Sequence, residues 1–259
     1  MHPRHQQALI SIVRGNCPSN SIRDKRTTLN AGLTYKETNN FLLGSRIEVG
    51  SRQYTVANLG LSHSRRMLGG LWVFDASYAQ GLGLFGAVGR GEPGAGDADP
   101  EFSKFSGTIS VTRPFAVSGQ NLQLSSMISG QYSPDNLFGA EQISLGGYSN
   151  VRGLRDSVFF GNSGLFTRNE IAWRTMPWAD NATLAKRLGE LRPYAGIDYG
   201  HVFGEERFGL EGGDIAGWTV GMRLAGGNIG ADIGYSRIFQ NSAETGARDL
   251  FFVSTSLQW

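Results

Sequence analysis

Residues 190–200, Glu190-Leu191-Arg192-Pro193-Tyr194-Ala195-Gly196-Ile197-Asp198-Tyr199-Gly200, alternate in character along their whole length. Leu191, Pro193, Ala195, Ile197 and Tyr199 fall on one face, and Arg192, Tyr194, Gly196, Asp198 and Gly200 on the other. A period of two belongs to a β-strand with one apolar and one polar side. The pattern recurs on 165–174, where Leu165, Thr167, Ile171 and Trp173 oppose Phe166, Arg168, Glu170 and Arg174. At the C-terminus Phe251, Val253, Thr255, Leu257 and Trp259 oppose Leu250, Phe252, Ser254, Ser256 and Gln258. Strands are predicted near 27–37, 40–50, 52–66, 70–80, 102–114, 120–132, 163–175, 190–202, 215–226, 229–239 and 248–259. The segments at 40–50 and 52–66 form either one long hairpin arm or two strands, so the count is ten or eleven.

Two architectures bury such a face. A β-sandwich uses strands of about five or six residues. A transmembrane barrel uses about nine to eleven, with short turns on one side and longer loops on the other. Connections at 37–40, 66–70, 114–120 and 226–229 are short, while 80–102, 132–163, 175–190 and 239–248 are long. Strand length and loop asymmetry both favour an all-β, antiparallel transmembrane barrel. Mean hydropathy is negative, −0.23, which a barrel tolerates because every second residue faces a polar interior. Residues 1–24 show no clear period and are predicted as an irregular lead-in to a barrel portion at 25–259. A terminal strand with an apolar residue at every second position, ending on Trp259, is the signal by which outer-membrane barrels engage their insertion machinery.

One long connection breaks the pattern. Leu145-Gly146-Gly147-Tyr148-Ser149-Asn150-Val151-Arg152-Gly153-Leu154-Arg155-Asp156-Ser157 is too polar and too glycine-rich for a strand. Gly146, Gly147 and Gly153 supply backbone freedom, while Tyr148, Val151, Leu154 and Phe159 supply packing groups. A loop of this length inside a regular array is usually functional or disordered. The expectation is that the loop at 133–162 folds back and places Arg152 in a confined, water-lined space.

Other signals are weak. A single cysteine, Cys17, excludes a disulfide framework and a multi-cysteine metal site. The net charge of +2 gives no indication of nucleic-acid binding. No metal or cofactor is expected: Asp97, Asp99 and Glu101 form a solvated acidic loop tip, and Gly81-Leu82-Gly83 is a turn. His2, His5, His63 and His201 sit in no nucleophile motif, so enzymatic activity is not expected. No Gly-x-x-x-x-Gly-Lys-Ser/Thr segment is present to bind ATP.

Gly146-Gly147 with Val151-Arg152-Gly153, then Gly196-Ile197-Asp198-Tyr199-Gly200, then the aromatic terminus occur in an order that is similar to one known family. The chain resembles the barrel of two-partner secretion transporters, the haemolysin secretion/activation type, from about residue 27 to its end. The resemblance implies that Val151-Arg152-Gly153 lies in the sixth surface loop and that Arg152 bonds to Asp198 on the inner wall. Glu170, on the same face by parity, is a second candidate partner. Leu154 stands where the family usually has Tyr or Phe, which predicts weaker packing of the loop tip. The resemblance also implies a sixteen-stranded barrel preceded by periplasmic domains and a signal peptide, so the chain is expected to be a truncated portion holding the last ten strands.

The function implied is export of one large exoprotein (haemolysin, adhesin or contact-dependent toxin) across the outer membrane of a Gram-negative bacterium. Its expected partners are that exoprotein, outer-membrane lipid and the barrel-assembly machinery. An assembly insertase of the same superfamily would share Arg152 and Asp198. A passive porin would lack the paired motifs, and a non-functional remnant would keep them as ancestry only.

Overall fold

The computed structural model describes residues 5–10, 14–15, 25–43, 45–47, 51–156, 158–242 and 249–258. The strands are β1 (His5–Ile10), β2 (Arg14–Gly15), β3 (Lys25–Thr38), β4 (Phe41–Leu42), β5 (Ser45–Arg46), β6 (Arg52–Met67), β7 (Gly70–Leu82) and β8 (Ser103–Val117). They continue as β9 (Gln120–Tyr132), β10 (Ile143–Leu145), β11 (Phe159–Gly161), β12 (Gly164–Trp173), β13 (Gly189–Val202), β14 (Gly213–Gly226), β15 (Ile229–Asn241) and β16 (Asp249–Leu257). One short helix, α1 (Ala182–Leu188), starts at Asn181, whose side chain accepts from the backbone N–H groups of Thr183 and Leu184.

The main sheet runs β1-β3-β6-β7-β8-β9-β12-β13-β14-β15-β16 with every pairing antiparallel. Ten of these strands are nine to sixteen residues long, enough to cross a bilayer core at a tilt. Among the described residues no pairing joins β16 to β1 or β3. No helix of the described chain is long and apolar enough to cross a membrane.

The two faces separate as the alternation requires. Ile128, Ile171, Trp173, Ile197, Val220, Met222, Ile233, Phe251, Val253 and Leu257 are all exposed on the convex side. Such a continuous apolar surface is ruinous in water and stabilising in lipid. On β13 the opposite parity, Tyr194, Gly196, Asp198, Gly200 and Val202, is buried without a break. The tight turns Leu68-Gly69 and Ser118-Gly119 have positive φ at both positions, the I′ geometry that matches strand twist.

Four expectations are corrected. The described residues of 40–50 add no wall strand: β4 and β5 pair only with each other, between β3 and β6. A short turn was expected at 37–40; instead β3 runs through Thr38 and pairs with β6 from Arg52, so the connection spans 39–51. The long connection at 174–188 lies with the short turns at 68–69, 118–119 and 227–228, because strand direction alternates and α1 closes it: Asn228 N–H donates to Lys186 O at 3.1 Å. Within the lead-in expected to be irregular, His5–Ile10 pairs in register with Leu33–Thr38. An unpaired edge on β3 is a template that nearby extended chain satisfies.

Candidate functional site

The connection between β9 and β12 returns against the concave face of the sheet. Its hairpin, β10 against β11, frames the segment that carries Arg152. Gly146, Gly147 and Gly153 all have positive φ (106°, 90° and 124°). At Gly153 a side chain would also collide, since an added Cβ would lie 2.8 Å from Ile238 Cδ1. The turn is therefore sterically restricted to glycine on two counts.

Arg152 is 2 % exposed and Asp198 0 % exposed, so their contact is withdrawn from bulk water. Arg152 Nε donates to Asp198 Oδ2 at 2.6 Å and Nη2 to Oδ1 at 2.8 Å, a bidentate fork. The backbone N–H of Arg152 adds a third bond to Oδ2 at 3.1 Å. Nη1 donates to Glu170 Oε2 at 3.0 Å. Burial alone would lower the Arg152 pKa; Asp198 and Glu170 outweigh it and raise the value further. The cation is permanently charged.

The wall glycines admit this contact. A Cβ on Gly196 would stand 2.6 Å from Arg152 Nη2 and 2.7 Å from the Asn169 carbonyl oxygen. A Cβ on Gly200 would meet Leu145 and Val151 at 2.9–3.0 Å. The Gly-x-Asp-x-Gly spacing puts all three residues on one face, with the carboxylate between two seats for the loop. Leu154 is buried with Leu145, Val151, Phe159, Val202, Ile215 and Ile238. The aliphatic residue at this position is packed despite the absence of an aromatic ring.

The network continues along the wall. Arg223 joins Glu170 Oε1 and Asp232 Oδ2, each at 3.0 Å, and Tyr194 Oη donates to Asp232 Oδ1 at 2.8 Å. Tyr148 from the loop reaches Asp232 at 3.4 Å and packs edge-on against Phe252. Arg168 holds the loop by its main chain, donating to the carbonyl oxygens of Tyr148 and Ser149. A cavity of about 270 Å³ is lined by Arg152, Arg168, Glu170 and Arg223 together with Ser110, Thr112 and Ser125 of the neighbouring strands β8 and β9, Ser125 being paired directly with Glu170.

Sequence reasoning missed four contributors. Gly217 lies where a Cβ would come 2.5 Å from the Arg152 carbonyl oxygen, beside a register shift in the β14–β15 ladder. Arg223 and Asp232 extend the charge network, and parity along their strands could have found them. Glu141 stood in no motif. It is 6 % exposed and accepts from Lys104 Nζ at 2.7 Å, from Tyr54 Oη at 3.1 Å and from Lys36 Nζ. Of the terminal residues, Phe251, Val253 and Leu257 point outward, whereas Trp259 lies outside the described residues.

A wide antiparallel sheet, apolar on its convex face and carrying a loop fastened by charge to its concave one, defines an outer-membrane β-barrel of the kind with an in-folded surface loop. The model of the haemolysin secretion/activation proteins ShlB/FhaC/HecB matches residues 22–224. The chain belongs to that family. It is 31 % identical over 200 residues to the outer membrane transporter CdiB of Dickeya dadantii, covering 77 % of this chain and 34 % of that protein. It is 30 % identical over 214 residues to the hemolysin transporter protein ShlB of Serratia marcescens, covering 83 % and 35 %. The solved structure of CdiB from Escherichia coli superposes with a TM-score of 0.77 at 25 % identity, over 99 % of this chain and 44 % of that one. The chain thus spans about a third of the length of the curated relatives it matches.

Proposed function

We propose that this chain supplies barrel wall and pore loop to an outer-membrane translocator that exports a large partner exoprotein without ATP. The observation that carries the reading is the buried Arg152–Asp198 fork with Glu170 beside it, which fastens a long surface loop inside the barrel. Residues 25–259, with the loop at 133–162, act as one unit. Arg152, Gly146, Gly147, Val151 and Gly153 hold the resting loop, and Gly196, Asp198, Gly200 and Glu170 form its seat. The relatives are named as transporters, which supports a transport role; no catalytic step is part of this reading. Phe251, Val253, Leu257 and Trp259 serve as the signal to the assembly machinery, and the convex face meets lipid.

The passage is driven by the exported chain itself, whose folding outside the cell withdraws it from the pore. The test is to delete the gene and assay culture supernatant for the partner exoprotein. Loss from the medium, with restoration by the wild-type gene, is expected. Undiminished export in the deletion strain overturns the reading.

A further inference from the structure

The same loop is fastened a second time, eleven residues before Arg152 in sequence, at Glu141. Four strands converge on this residue. Lys36 on β3, Tyr54 on β6 and Lys104 on β8 bond to its carboxylate, and Gln131 on β9 donates to its carbonyl oxygen at 2.9 Å. Lys104 Nζ reaches that carbonyl as well, at 3.1 Å. Burial alone would push the carboxyl pKa up; the two ammonium groups outweigh it and hold the value below the ordinary range.

Around Glu141 two long loops are fused into one body. Phe102, Leu137, Phe138, Val88 and Ala95 form a closed apolar cluster with Tyr54 and Val56 of the wall. Tyr54 stacks on Phe138 with ring centroids 4.4 Å apart. Main-chain and side-chain bonds tie the pieces: Asp99 N–H to Asn136 O at 2.7 Å, Asn136 Nδ2 to Asp97 O at 2.8 Å, and Ser103 N–H to Asp135 Oδ2 at 2.7 Å. This body sits at the end of the sheet that carries the longer loops, which is the outer end of such a barrel. It shares no hydrogen bond with the Arg152 network among the described residues.

The geometry points to Glu141 as a positioning residue that latches a cap, made of 83–102 and 133–142, over the outer mouth of the pore. Release of this latch opens the mouth while Arg152 keeps the inner part of the loop in its seat. A carboxylate held by two lysines suits that task, because ammonium groups are point charges on flexible stems and re-form their contacts without a fixed angle. The inner fork, planar and bidentate, is built to stay. The inference rests on the pore-loop reading above. Its readout is ion flow with no exported protein present, so the two fail separately.

The experiment is planar-bilayer conductance of the purified full-length protein. Glu141→Gln, which keeps the shape and the Tyr54 contact, is expected to raise resting conductance several-fold, with the heat-modifiable folded band unchanged. Reversing all three charges (Glu141→Lys with Lys36→Glu and Lys104→Glu) should return it to the wild-type level, a rescue that a merely structural role does not give. Should Glu141→Gln fail to insert, Lys36→Met with Lys104→Met reads the same latch from the wall side. Wild-type conductance in a folded latch variant, or a charge-reversed protein that stays open, overturns the inference.

Discussion

The two fastenings of the 133–162 loop differ in kind. At Arg152 one guanidinium meets two carboxylates, and glycines at 153, 196, 200 and 217 clear the approach. At Glu141 one carboxylate meets two ammonium groups and a phenol, with no glycine needed. The inner contact is a backbone-to-wall approach, so its geometry is fixed by where side chains are absent. The outer contact is made by long side chains reaching inward from β3, β6 and β8. Close approach gives rigidity, and reach gives tolerance.

The largest expected effect comes from breaking the inner fastening on one side only. Asp198→Ala leaves the Arg152 guanidinium buried against Glu170 alone, a loss of about 3–5 kcal/mol in loop docking. Proteolysis within 145–157 on intact cells should rise sharply; an unchanged cleavage rate would sink the claim that this pair seats the loop. Gly196→Val tests the steric half of the same contact. Its branched side chain cannot coexist with Arg152 Nη2, and loop protection should fall nearly as far, although no charge is altered.

Leu154→Ala removes a buried side chain from the cluster beneath the fork and should cost about 2–4 kcal/mol. Hydrogen exchange across 150–156 reports this without touching either ion cluster. Acid separates the two regions more gently. The Glu141 carboxyl titrates below its ordinary 4.5, so its contribution is complete above that pH and is lost as pH falls through the depressed folded value. Protease access to 83–102 should therefore increase below about pH 4.5 in the wild type, and Glu141→Gln should abolish that dependence. The smallest effect is expected from Tyr148→Phe, which forfeits a 3.4 Å bond to Asp232 on a half-exposed ring and keeps the packing on Phe252. A change in loop protection under about 1 kcal/mol is predicted.

The contrast also explains what was legible in the chain. A period of two on 190–200 located both faces of β13 and put Asp198 on the polar one, while its pairing with Arg152 was implied by the family resemblance; the glycines at 196 and 200 record the close approach that the pairing needs. Lys36, Lys104 and Glu141 come from three distant segments and need only reach, so no local pattern records them. Residues 40–50 misled for a related reason. The segment was read as a strand or hairpin arm, but only register with β3 or β6 could have made it wall, and those strands pair with each other over fourteen positions. Loop sidedness failed at 174–188, where length alone was used and the parity of strand direction was not.

The most direct test of the central claim, that the Arg152 fork holds the loop in a pore used for export, is secretion by an Arg152→Ala variant. Amounts of the exoprotein in the medium would be compared with amounts of folded barrel in the outer membrane. The account predicts strongly reduced export from a normal quantity of inserted, heat-modifiable protein. Full export by that variant would contradict it.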